Sequence, residues 1–193
     1  RHPLVYSVPY SPIQNKMLNA SYLAKREMLA AAQRDGNLDK FIGLHERPYR
    51  LNALITGARR IQDLSDEAYW RAVGFVWRDS ENVHELWDTW RRVWVGGNRA
   101  AGVRGREHVM SRGDLDALQA MPEVFEVFHG EEHPNRIGMS WTLDHDVAKW
   151  FAKRFQARGR VYKGRVRRAD VIAYFTQRNE EEILVPGELV ELI

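Results

Sequence analysis

Apolar residues recur at helical spacing through the first part of the chain and give way to short strand-like runs toward its end. Residues 1–12 carry three prolines and read as an extended arm. From Pro12 to Arg34, Met17, Leu18, Tyr22 and Leu29 sit near helical spacing beside a run of three alanines, and Asp35-Gly36-Asn37 ends the predicted helix. A shorter helix is predicted after Tyr49, through Leu51, Leu54, Ile55 and Ile61. Ser65-Asp66-Glu67 has the chemistry of an N-terminal cap with acids in the first turn, and Tyr69 or Trp70, Val73 and Trp77 then share a face. Asp79-Ser80-Glu81 restarts the pattern. Val83, Leu86, Trp87, Trp90 and Trp94 form an apolar stripe, closed by Gly96-Gly97-Asn98. Tryptophans at this spacing read as core. Residues 102–112 are polar, basic and glycine-punctuated, a loop, and Ser111 is placed to cap a short helix over Gly113–Met121.

The period then changes. Val124–Phe128 and Gly138–Thr142 read as strands, and Asp144–Gln156 as a helix with Val147, Ala148, Phe151, Ala152 and Phe155 inside. Arg158-Gly159 ends it. Further strands are predicted at Val161–Val166, Val171–Phe175, Ile183–Val185 and Leu189–Ile193. Helices first and strands later predict an α+β protein, not a doubly wound sheet. Two regions are expected, a mostly helical one over residues 1–121 and a β-rich one over 122–193.

At 193 residues and 44% hydrophobic the chain can bury a real core. No apolar run approaches the ~20 residues needed to span a membrane. No cysteine is present, which removes disulfides, thiolate zinc sites and a cysteine nucleophile together and fits a reducing, cytoplasmic location. The net charge of +3 is weak, but basic residues cluster at Arg91–Arg112 and again at Lys153–Arg168. Either cluster suits an anionic partner or a solvated face. His129, His133 and His145 with Asp144 and Asp146 match no common ligand spacing, so no metal is expected.

Three polar elements punctuate the β-rich half: Phe128-His129-Gly130 at a predicted strand end, Ser140-Trp141-Thr142 just before a helix, and Glu180-Glu181-Glu182 running into Ile183-Leu184-Val185-Pro186. Taken singly, each has a structural explanation as a turn, a cap or a solubilising strand end. In this order they resemble the ADP-ribosyltransferase family. That family carries a basic residue on its first core strand, Arg or in a second branch His. A Ser/Thr element follows on the next strand, before a helix rich in Ala and Phe. Last comes a Glu-x-Glu element leading into a hydrophobic strand with Pro. The resemblance covers about residues 122–193, and its most restrictive part is Glu-x-Glu with Ile-Leu-x-Pro. His129 stands where most arginine-targeting members carry Arg, and the central element is Ser-Trp-Thr, so features of two branches are mixed.

The resemblance implies a compact split β-sheet core, NAD as substrate, and transfer of ADP-ribose to a macromolecular acceptor, a protein in preference to a nucleic acid. It is similar in compactness to phage or toxin-like transferases that modify a host component. By the same resemblance Glu182 is the catalytic carboxylate and Glu180 faces the acceptor. His129 and Gly130, with Ser140, Trp141 and Thr142, line the NAD cleft. Phe151 and Tyr162 are weaker contacts, with helix packing the main alternative for Phe151. Strand alternation is expected to turn Glu181 away between its neighbours. The rivals are a non-catalytic module of the same fold that holds a protein or nucleic acid, and a related enzyme that moves phosphate to NAD from RNA ends.

Overall fold

The structure, a computed structural model, describes residues 4, 16–80, 83–95, 105–131, 137–154 and 159–193. The predicted arm apart from Leu4, the Gly96-Gly97-Asn98 helix end, the start of the following loop and the helix end at Phe155–Arg158 lie outside them. Among the described residues the protein is α+β, with seven α-helices and one antiparallel six-stranded sheet. None of these helices is long and apolar enough to cross a membrane. By its contacts the chain divides into two units, Arg1–Val109 and Met110–Ile193.

The first unit holds α1 (Lys16–Arg34), α2 (Leu38–Gly43), α3 (Arg50–Arg60), α4 (Asp66–Asp79) and α5 (Trp87–Trp94). Ser65 caps α4, its hydroxyl accepting from the Ala68 N–H at 3.1 Å. α2 was not legible as a helix because its cap, Asn37, follows Gly36 and reads as a turn; Asn37 Oδ1 accepts from the Lys40 N–H at 2.9 Å. The predicted helix through Val83 is shortened: Val83–Leu86 is a 3₁₀ turn and α5 begins only at Trp87. Trp90 and Trp94 are buried, and Trp77 meets both rings edge-on at 4.9 and 5.6 Å. Trp90 and Trp94 are therefore core, as their spacing predicted, whereas Trp87 is half-buried and Leu86 exposed.

The second unit holds α6 (Arg112–Ala120), β1 (Val124–Glu131), β2 (Ser140–Thr142), α7 (His145–Lys153), β3 (Arg160–Arg167), β4 (Ala173–Phe175), β5 (Glu182–Leu184) and β6 (Glu191–Leu192). α6 thus belongs with the sheet: its Leu118 joins Val127, Trp141, Val166, Tyr174 and Ile183 in one buried cluster. The strand order is β4-β5-β2-β1-β3-β6.

Pairing is uneven across that order. β1 pairs with β3 along its whole length, from Val124↔Arg167 to Glu131↔Arg160. β2 pairs with β5 at every residue, from Ser140↔Leu184 to Thr142↔Glu182. β1 and β2 share the single pair Phe128↔Thr142. The sheet is two three-stranded halves hinged at that pair, and the three polar elements lie on the strands around the hinge. β1 runs through Glu131, so His129 and Gly130 are strand residues and not the strand end that the sequence suggested.

Candidate functional site

The register of β2 against β5 sets the first contact. Thr142 stands opposite Glu182 and Ser140 opposite Leu184, so the Ser140, Thr142 and Glu182 side chains leave the same face. Ser140 and Glu182 are then diagonal neighbours, and the Ser140 hydroxyl donates to Glu182 Oε1 at 2.5 Å. Both side chains are half-buried. A charge-assisted bond of this length fixes the carboxylate in one orientation.

Trp141, between the two hydroxyl residues, points to the other face. It is 1% exposed, and its indole N–H donates to the Gly138 carbonyl at 3.2 Å. Its expected place as a wall of a ligand cleft is therefore corrected: alternation puts it in the core, where no ligand reaches it.

His129 bridges the hinge. Where the β1–β2 ladder stops, its Nδ1 lies 2.7 Å from the Ser140 carbonyl. A carbonyl only accepts, so Nδ1 carries the proton. Nε2 lies 3.3 Å from both the Gly138 N–H and Glu131 Oε2. A neutral ring accepts from Gly138; a protonated ring donates to Glu131. The ring also packs 5.2 Å from the Trp141 ring and 6.4 Å from that of Tyr162, its partner across β1 and β3. Ser140 is thus the common member: its carbonyl takes His129 and its hydroxyl takes Glu182.

The acidic run does not alternate as a strand. β5 begins at Glu182, after a 3₁₀ turn over Gln177–Asn179. Glu180 has φ −96° and ψ −15°, while Asn179 and Glu181 on either side have φ of 56° and 45°. Left-handed backbone at a residue with a long side chain costs roughly 1–2 kcal/mol, and such positions concentrate where a chain must present a neighbour. Glu181 is turned outward by this kink, not by a period of two; it is exposed, whereas Glu180 and Glu182 are half-buried.

Two anchors hold the kink. Thr142 is buried; its hydroxyl donates to the Glu180 carbonyl at 2.6 Å and accepts from the Asp144 N–H at 3.0 Å. The donor and one acceptor site of the Thr142 hydroxyl are thereby used inside the protein, where it braces the acidic run against α7. The second anchor was not foreseen. Asp114, buried in the first turn of α6, accepts through Oδ1 from the Thr176 hydroxyl and N–H at 2.6 and 3.1 Å, and through Oδ2 from the Ser111 hydroxyl at 2.7 Å. Burial pushes its carboxyl up, but these bonds, led by the Thr176 hydroxyl, outweigh it and hold the group below the ordinary Asp range. Ser111 is legible as a cap and the structure completes a capping box with Asp114; Thr176, 62 residues on, is not legible. Near the same run, burial first, then the charges of Glu181 and Asp114, push the Tyr174 hydroxyl up and keep it protonated.

Gly130 has a packing role. A Cβ there would lie 1.9 Å from the Ala148 carbonyl and 2.8 Å from the Ala152 nitrogen, so the glycine is what lets α7 lie against β1. Phe151, on α7, is half-buried with its ring edge-on to Trp150 at 4.9 Å, and Tyr162 is half-buried on β3. The residues brought together are therefore His129, Ser140 and Glu182, with Glu180 held one turn earlier. Among the described residues, which do not include His133, no group of three or more His, Asp or Glu could hold a metal ion. No protein-family model, curated protein or solved structure matches the chain.

Proposed function

We propose that the protein is a mono-ADP-ribosyltransferase that cleaves NAD and transfers ADP-ribose to a macromolecular acceptor. One observation carries this reading. The three elements of the sequence resemblance, more than fifty residues apart from first to last, meet on adjacent strands around a split in the sheet. There Ser140 binds His129 through its carbonyl and Glu182 through its hydroxyl. The single pair between β1 and β2 fits the split core that the resemblance implies.

The residues present fit a ribose in the chemistry of their donors and acceptors. Glu182 is an acceptor for a sugar hydroxyl and a negative charge for a developing cation, held ready by Ser140. NAD supplies the electrophile: its bond from ribose C1′ to the nicotinamide nitrogen breaks with the electron pair leaving on nicotinamide, and a lone pair of the acceptor closes the new bond at C1′. Glu180, half-buried one residue beyond the left-handed Asn179, takes the proton that the acceptor loses. His129 has Nδ1 committed to Ser140, so Nε2, which lies 3.3 Å from the Gly138 N–H and from Glu131 Oε2, is the ring atom left to exchange its partner for a ribose or phosphate oxygen. The test is incubation with labelled NAD and a cell extract. Transfer that falls to background in Glu182→Gln supports the reading, since such charges are worth ~10²–10³ in rate. Undiminished transfer removes Glu182 from the chemistry.

A second reading, a binding module on this fold, is favoured by a specific observation. Trp141, Thr142 and Gly130, three residues expected at the ligand, are used in packing and bracing. Thermal shift separates the two readings. NAD at 100 times its dissociation constant stabilises a true binder by ~2.7 kcal/mol. No shift at millimolar NAD selects the module.

A further inference from the structure

α7 is amphipathic in an unusual way. Ala148 and Ala152 are buried, and the opposite face carries Trp150 at 56% exposure with Lys149, Lys153 and Arg154 around it. Trp150 contrasts with Trp70, Trp77, Trp90, Trp94 and Trp141, each 4% exposed or less. Around it lies an open depression of about 400 Å³, lined by Asp146, Lys149, Trp150, Lys153 and Arg154. The Arg154 guanidinium sits over the indole at 5.2 Å. Neither Lys149 nor Lys153 has an ion-pair partner among the described residues. Three cations against one acid, grouped about an exposed aromatic face, call for a ligand that brings both negative charge and flat π surface.

We propose that this face of α7 docks single-stranded nucleic acid, with a base stacked on Trp150 and phosphates on Lys149, Lys153 and Arg154. Stacking on an indole requires an unpaired base, which selects a single strand over a duplex. Lysines are depleted at the centre of protein interfaces, so a Trp flanked by two of them suits a phosphate chain better than an acidic protein. The position suits an acceptor. Thr142 ties the Asp144 N–H at the head of α7 to the Glu180 carbonyl, and Trp150 lies six residues further on, about 9 Å of helical rise. A strand held on α7 is therefore docked on the helix whose head is tied to the acidic run. That last step, the docked strand as acceptor, rests on the transferase reading; the docking does not.

The experiment is anisotropy with a labelled single-stranded oligonucleotide of about twelve nucleotides, a common site size, without NAD. Binding is expected to weaken about ten- to a hundredfold in Trp150→Ala, the range for losing one stacked base. In Lys149→Glu/Lys153→Glu the log–log salt slope is expected to fall by about 1.4, two phosphate contacts on a single strand. All three positions are exposed, and the double variant tests the docking even if Trp150→Ala folds poorly. Docking is overturned if Trp150→Ala binds as the parent does, if the duplex binds as tightly as the strand, or if polyglutamate displaces the strand at equal charge. A final arm adds labelled NAD. Label on the bound oligonucleotide supports its role as acceptor. Binding without label overturns that role and leaves the docking intact.

Discussion

The Ser140 hydroxyl donates to Glu182 Oε1 at 2.5 Å between diagonal neighbours of two paired strands. The bond gives Ser140 a positioning role that its half-buried environment alone would not. If the carboxylate acts on a developing cation, its orientation matters more at the transition state than in the bound complex. Ser140→Ala is therefore expected to lower kcat for NAD cleavage about ten- to a hundredfold, the range for one hydrogen bond to a charged group, with KM nearly unchanged. Steady-state kinetics of nicotinamide release checks this. Turnover equal to that of the parent protein would show that the bond is structural only.

Gly130 offers a test of packing within the same unit. A methyl group there meets the Ala148 carbonyl at 1.9 Å, a backbone atom that cannot step aside without moving α7. Gly130→Ala is expected to cost about 3 kcal/mol or more, the upper end of overpacking. Gly113→Ala in α6, whose nearest neighbour would be 3.9 Å away, is expected to be neutral or to stabilise by up to ~1 kcal/mol. Urea unfolding of the two variants makes the comparison. Equal midpoints would mean that α7 does not lie on β1 as described.

How much of this was legible depends on how far the signal reaches along the chain. Ser65 and Ser111 announced their helices because a cap acts within three residues. The strands are legible, but the glycine in Phe128-His129-Gly130 reads as punctuation and ends the first of them early. Its real cause, the approach of Ala148 and Ala152, lies in a helix twenty residues on. The resemblance puts Trp141 at the ligand; register turns it into the core. The acidic run was read with a strand period that starts only at Glu182. Asp114 went unnoticed as part of the site because its partner, Thr176, is 62 residues away.

That partnership has a pH signature. The folded-state pKa of Asp114 is held below its unfolded value of ~3.9, so the carboxylate stabilises the fold above that value. The contribution is lost as pH falls through the lower, folded value. Asp114→Asn keeps the shape but replaces one acceptor oxygen with a donor facing hydroxyls or N–H groups. It is expected to cost about 1–3 kcal/mol at pH 7 and to flatten the acid limb of the stability profile. Chemical denaturation between pH 7 and 3 measures both. A variant with the same acid limb as the parent would show that Asp114 is not the group that titrates there.

Glu181 tests whether the kink matters to the chemistry. Its φ of 45° is a left-handed conformation that glycine adopts without the steric cost borne by a side chain. Glu181→Gly removes that cost but adds the backbone freedom of glycine in the unfolded chain, so a net gain of up to ~1 kcal/mol is expected. It also removes one of the charges beside Tyr174, which lowers the Tyr174 pKa toward its ordinary value. Activity should move the other way. A looser Glu181 lets Glu180 sample orientations that the Thr142 brace and the left-handed neighbour now exclude. On the proposed reading, in which Glu180 takes the acceptor's proton and Glu182 acts on the ribose, transfer to the acceptor is expected to fall by more than NAD hydrolysis. Equal loss in both reactions would place the two carboxylates in one role instead of two.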